Sequence, residues 1–225
     1  MAVALVHYHL RRGGVTRVLE AQSEALQLLG IPHVILAGTE YTGPNALPVR
    51  IVPDLDYRTD ADGRTGSGLA ATLRAEASEA LGQAPAIWHL HNPTLGKNVL
   101  FPEVVRELCG SGERLVIQIH DFAEDGRPAN YRLVRDESRL YPNAPQIRYA
   151  FINSRDRGFL VEAGVPASRA TLLPNAVRPV AIPDLPPGEA SAPTVLYPVR
   201  GIRRKNLGEF NLLAGLAPEG ATFAL

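Results

Sequence analysis

Histidines 7, 9, 89, 91 and 120 each stand at or just past the end of a short apolar run, and those runs read as β-strands. His7 with His9, and His89 with His91, have His-x-His spacing, which puts both imidazoles on one face of an extended chain. Histidine can donate, accept or exchange a proton near neutrality. A cluster of five therefore suggests a polar pocket for a hydroxyl-rich ligand, with His120 as the group best placed for proton transfer. Asn92 and Asp121, next to His91 and His120, extend the set. Two His-x-His pairs could also ligate a transition metal in a hydrolase, but further ligands and supporting carboxylates are not evident, so no metal is assigned. A single histidine on a strand is more often structural. Five at one sheet edge are harder to explain that way.

The second chemical feature is the corner HLRRGGVTRVLE. Ala2 to Tyr8 reads as a strand, Gly13-Gly14 as a turn, and Val15 to Leu29 as a helix from the recurrence of Val15, Val18, Leu19, Ala25, Leu26 and Leu29. Glycines at such a corner let a ligand approach the backbone, and the helix N-terminus offers free N–H groups to a phosphate or a sugar. The dinucleotide fingerprint Gly-x-Gly-x-x-Gly is absent, because the two glycines are adjacent.

Positioning these residues requires an alternation of strands and helices. Strands are expected at His33–Ala37, Val49–Val52, Ala86–Leu90, Leu115–Ile119, Tyr149–Asn153 and Thr171–Leu173. Helices are expected at Leu69–Leu81, within Asn98–Cys109, at Tyr131–Leu140 and at Asp156–Ala163, and Asp54–Gly68 reads as a polar, mobile surface loop. This pattern predicts an α/β fold with a doubly wound parallel sheet. Ligands of such sheets sit beyond the C-terminal ends of the strands, where the histidines fall.

From Pro174 to Pro198 the chain carries seven prolines, at 174, 179, 183, 186, 187, 193 and 198, and reads as a stiff connection. The expected organisation is a Rossmann-like domain over residues 1–178, a linker over 179–193, and the first βαβ piece of a second Rossmann-like domain over 194–225, with a strand at Thr194–Val199, a basic loop at Gly201–Asn206, a helix at Leu207–Leu216 and a strand from Thr222. One such piece cannot bury a core of its own, so the rest of the second domain is expected to follow or to come from a second chain.

Bulk properties exclude several classes. The 23 basic and 23 acidic residues cancel without a long run of one sign, which disfavours a nucleic-acid partner. Cys109 is the sole cysteine, so no internal disulfide is possible and a reducing, cytoplasmic location fits. No signal peptide is visible, and no segment reaches the roughly 18 apolar residues of a transmembrane helix.

Four pieces in order resemble a known family: HLRRGGVTRVLEAQSEAL, the triplet IHD at His120, AFINSRDRGFLVEAGVPASRATLLPNAV, and VRGIRRKNLGEF. Together they resemble the N-terminal half of a GT-B fold glycosyltransferase, nearest family 4, the large group 1 family, over almost the whole chain. The resemblance implies a retaining enzyme that moves a sugar from an NDP-sugar donor to a sugar, lipid or small-molecule acceptor, with the nucleotide-sugar as co-substrate and no separate cofactor. It implies that Gly13 and Gly14 approach the donor, that His120 lies near the reacting sugar, that Asn175 precedes the crossover, and that Arg200 and Lys205 bind the donor diphosphate. His9, His91, Asn92 and Asp121 are the expected acceptor or pocket residues. Members of the family are cytoplasmic, some peripheral to the inner membrane face. They carry a Glu-x7-Glu element and a nucleotide pocket further along, which these 225 residues do not contain, so the chain by itself is expected to be an inactive fragment. The loop DFAEDGRPAN matches no family element and reads as an acceptor-selecting segment or a solvated lid. A non-catalytic sugar- or nucleotide-binding module is the alternative reading.

Overall fold

The structure, a computed structural model, describes residues 1–137, 140–176, 194–199, 201 and 205–225. The expected linker over 179–193 and Arg200 lie outside the described residues. The chain divides into two compact units, Met1–Val177 and Arg178–Leu225.

The first unit is built on seven parallel strands: β1 (Val3–His7), β2 (His33–Ala37), β3 (Val49–Ile51), β4 (Ile87–His91), β5 (Leu115–Ile119), β6 (Ile147–Phe151) and β7 (Ala170–Leu172). Their order is β3-β2-β1-β4-β5-β6-β7. Helices α1 (Gly14–Leu28), α2 (Gly66–Leu81), α3 (Phe101–Gly110), α4 (Pro128–Val134) and α5 (Ser154–Glu162) connect them. This is a Rossmann-like α/β arrangement, and the strand order reverses between β1 and β4. That switch point is where the connections leave in opposite directions and open a crevice.

Strand parity decides what each face carries. Ala4, Val6 and Tyr8 share an apolar layer with Trp88, Leu90, Leu115, Ile117 and Ile119 and with Leu69, Leu73, Phe101, Val104 and Leu160 of α2, α3 and α5. The alternate residues face the other way: Val3, Leu5 and Ile35 pack with Leu19 of α1. By the same alternation His7, His89, His91, Gln118 and His120 belong to the α1 side. All five residues of β1 are buried, as befits the central strand of a sheet covered on both faces.

Local signals place the helix ends. Thr65 Oγ1 accepts the Gly68 N–H at 3.0 Å at the start of α2, Gly82 ends that helix at φ 65°, and Asn153 Oδ1 accepts the Asp156 N–H at 2.8 Å at the start of α5. The helix expected at Tyr131–Leu140 instead runs over Pro128–Val134, because Pro128 presets the first turn. The expected mobile loop at Asp54–Gly68 is anchored at its start. Leu55 is fully buried, and Asn98 Nδ2 donates to the Asp54 and Asp56 carbonyls at 2.7 and 2.8 Å.

Gly38, just past β2, marks a close approach: a Cβ there would lie 2.3 Å from the Asp56 backbone nitrogen and 2.7 Å from the Tyr8 carbonyl oxygen. Backbone cannot rotate aside as a side chain can. Gly38→Ala is therefore expected to cost at least about 1–3 kcal/mol in denaturant unfolding, and an unchanged midpoint would show that the packing is looser.

In the second unit, β8 (Thr194–Leu196) and β9 (Thr222–Ala224) pair in parallel, joined through α6 (Leu207–Leu216). Tyr197, Phe210 and Phe223 form its aromatic contact, with ring centroids 5.2 and 5.5 Å apart in turn. No residue of α6 is buried within it, and Leu212, Leu213 and Leu216 are exposed. Among the described residues no helix is long and apolar enough to cross a membrane.

Candidate functional site

The switch-point end of the sheet carries a buried chain of imidazoles. His7 Nδ1–H donates to the His91 carbonyl at 3.2 Å; His91 Nδ1 and His120 Nε2 share a hydrogen bond of 3.0 Å. The His89 and His91 rings stack with centroids 4.5 Å apart, and those of His91 and His120 stack at 5.4 Å. His89 Nε2 donates to Gln118 Oε1 at 2.9 Å, and Gln22 of α1 donates to the same oxygen at 3.0 Å. Burial disfavours the charged form of each ring. It lowers His7 to about 3 and His89 and His120 each to about 4, against an ordinary 6.5, and pushes His91 well down. For His120, the nearby Asp121 offsets part of that effect. The cluster is thus neutral at physiological pH, a set of hydrogen-bonding groups without charge. Among the described residues no three His, Cys, Asp or Glu side chains are arranged to hold a metal ion.

Asn92 organises the end of β4. It adopts φ 54°, a left-handed conformation that asparagine tolerates better than most residues. There its Oδ1 accepts the backbone N–H groups of His120 at 2.6 Å and Asp121 at 3.2 Å, while its carbonyl accepts the Tyr8 hydroxyl at 2.6 Å. It ties the ends of β1, β4 and β5 together. Asn92→Ala should cost roughly 2–5 kcal/mol, combining lost acceptors with backbone strain. Asn92→Gly should recover only the strain. Denaturant midpoints in which the alanine variant matches the native protein would contradict this role.

The expected site residues do not all converge. His120, His91, Asn92 and Asp121 stand together, but His91 is 0% exposed and Asn92 is buried, so both support the surface of the crevice and do not form it. His9 lies beyond the end of β1, half-buried, with its ring 4.8 Å from that of Tyr57. Gly13 and Gly14 are exposed, and Gly13 lines a cleft of about 170 Å³ with Arg12, Thr16, Arg17, Glu20 and Tyr41. Neither glycine lies in the left-handed region, and the nearest atom to an added Cβ is the Arg11 carbonyl, 3.7 Å from that of Gly13. The backbone does not itself demand glycine there. The N-terminus of α1 carries no capping side chain and no acidic residue. Asn175 is exposed past the edge strand β7, with β5 and β6 between that strand and β4. Lys205 belongs to the second unit, where its carbonyl accepts the Tyr197 hydroxyl at 2.9 Å.

Two residues of the site were not singled out by sequence. Tyr8 and Gln118 read there as ordinary core and strand positions. Arg127 folds back onto Asp121 at 2.6 Å with its side chain only 14% exposed, so the segment after β5 is not a solvated lid throughout. Phe122 and Ala123 are buried, and the Tyr141 hydroxyl donates to Glu124. The spacing Asp-x5-Arg around Gly126, at φ 66°, was the available signal. Two cationic groups meet around Tyr57 near the end of β1. Arg11 pairs with Asp56, and Lys97 Nζ lies 4.9 Å from the centre of the Tyr57 ring. Two clefts of about 340 Å³ each share Glu124, Tyr141, Leu160 and Ala163, and no histidine lines either.

A parallel sheet whose switch point is edged by neutral imidazoles and an asparagine-locked strand end defines a Rossmann-like domain. No protein-family model matches the chain. The chain is similar to mannosylglucosyl-3-phosphoglycerate synthase of Petrotoga mobilis, with 30% identity over 240 aligned positions that cover 93% of this chain and 47% of the synthase. It therefore spans about half the length of that relative.

Proposed function

We propose that the chain is the acceptor-side domain and the first piece of the donor-side domain of a retaining, NDP-sugar-dependent glycosyltransferase of the GT-B, family 4 type. The similarity to a mannosylglucosyl-3-phosphoglycerate synthase along 93% of the chain supports a nucleotide-sugar glycosyltransferase, and the GT-B, family 4 type with retention rests on the sequence resemblance. The cluster of neutral imidazoles at the switch point supports it, since sugar hydroxyls are recognised by groups that both donate and accept hydrogen bonds. In this reading His120 meets the reacting sugar, and Asp121, held by Arg127, meets acceptor hydroxyls. Arg200 and Lys205 offset the diphosphate charge that grows as the donor bond breaks. The relative's product carries a phosphoglycerate, and the cations Arg11 and Lys97 near the end of β1 would suit an acceptor bearing a carboxylate or phosphate.

The test is a panel of nucleotide-sugars with 3-phosphoglycerate and its glucosyl derivative as acceptors, read by nucleotide release, product mass and anomeric configuration. These 225 residues are expected to transfer only when the rest of the donor side is supplied, either continuous with them or as a second polypeptide, and to do so with retention. Calorimetry that finds no binding of either substrate class, with or without the rest of the donor side, removes the proposal and favours a module of other specificity.

A further inference from the structure

His91 has no access to solvent, and its second ring nitrogen, Nε2, has no hydrogen-bond partner. A neutral imidazole carries one proton, so the bond between His91 Nδ1 and His120 Nε2 can be drawn in two ways. If His120 donates, the proton of His91 sits on Nε2, and a buried N–H is left with no acceptor. If His91 donates, its Nε2 holds only a lone pair, and no donor is stranded. Orphaned buried N–H groups are the rarer defect in folded proteins, so the second arrangement is favoured. It also sets the state of His120, whose Nε2 then accepts and whose proton resides on Nδ1, on the side of the ring away from His91.

We infer that His91 is a positioning residue that donates through Nδ1–H to His120 Nε2 and so holds His120 as the Nδ1–H tautomer, presenting an N–H donor outward at the end of β5. His120 then recognises a ligand oxygen by donating a hydrogen bond and does not act as a general base. Other bonds brace the pair: the His91 carbonyl is held by His7, and the His120 backbone N–H by Asn92. The inference rests on the sugar-transfer reading only for the identity of the oxygen that the N–H meets.

Long-range ¹H–¹⁵N correlation spectra of the ¹⁵N-histidine-labelled chain report the tautomers directly, with His120→Gln and His91→Asn identifying the signals. Both His91 and His120 are expected as Nδ1–H in the native chain, by roughly tenfold or more. In His91→Leu the donor is gone, and His120 should move to the Nε2–H form that predominates for histidine in water. In His91→Asn the amide N–H takes the place of Nδ1–H, and the Nδ1–H form should return. His120 found as Nε2–H in the native chain, or unchanged in a folded His91→Leu, overturns the inference. If the leucine variant fails to fold, the native and asparagine spectra decide. Tautomers as expected, together with no binding of nucleotide-sugar or acceptor even when the donor side is completed, would refute the sugar-transfer proposal and leave this inference standing.

Discussion

Acidification from about pH 7.5 to 5 is expected to destabilise the first unit steeply. His7, His89, His91 and His120 are held below their ordinary 6.5 by burial, His7 to about 3 and His89 and His120 to about 4. Below pH 6.5 the unfolded chain binds protons at these positions that the folded chain refuses. The stability they contribute is therefore complete above that pH and drains away as pH falls towards 4. Each such group costs up to about 1.4 kcal/mol per pH unit, so four together have an upper limit of about 6 kcal/mol per unit. That is comparable to the whole stability of many domains, about 5–15 kcal/mol. Thermal unfolding followed by circular dichroism at pH 7.5, 6 and 5 should show the midpoint collapsing before pH 5. His89→Gln, which can keep a hydrogen bond to Gln118, should flatten the slope. A midpoint that barely moves over this range would show that the rings are solvated.

Replacing His120 is expected to have the largest effect on sugar transfer in the completed enzyme. Removal of one preorganised hydrogen-bond donor at a reacting centre lowers turnover by about 10²–10³-fold, and His120→Ala should fall in that range. His120 is 8% exposed and its Nε2 is bonded to His91, so the variant should also lose about 1–3 kcal/mol of stability, and rates must be referred to folded protein. Lys205→Ala should raise KM for the nucleotide-sugar as well as lower kcat, because a diphosphate is bound before it leaves and gains charge as it does so. Normal turnover in folded His120→Ala removes the residue from the site. A Lys205 variant with unchanged KM separates that lysine from the donor.

The alternation of apolar runs with helical periodicity determined the fold class, because a strand buried on both faces must be continuously apolar, and β1, VALVH, and β5, LVIQI, are so nearly so. Histidines at the ends of those runs pointed to one sheet edge, since a parallel sheet collects its strand termini there. The crossovers, however, were not legible. Only the order β3-β2-β1-β4-β5-β6-β7 puts β4 beside β1 and sets His7 against His91, residues 84 apart in the chain. Burial was also decided in three dimensions. His91 and Asn92 look by type like ligand-binding groups, yet both are buried, and they act on His120 and Asp121 instead of on solvent. Residue type determines which bonds a side chain can make, whereas tertiary packing decides which of them face a ligand and which hold another residue in place.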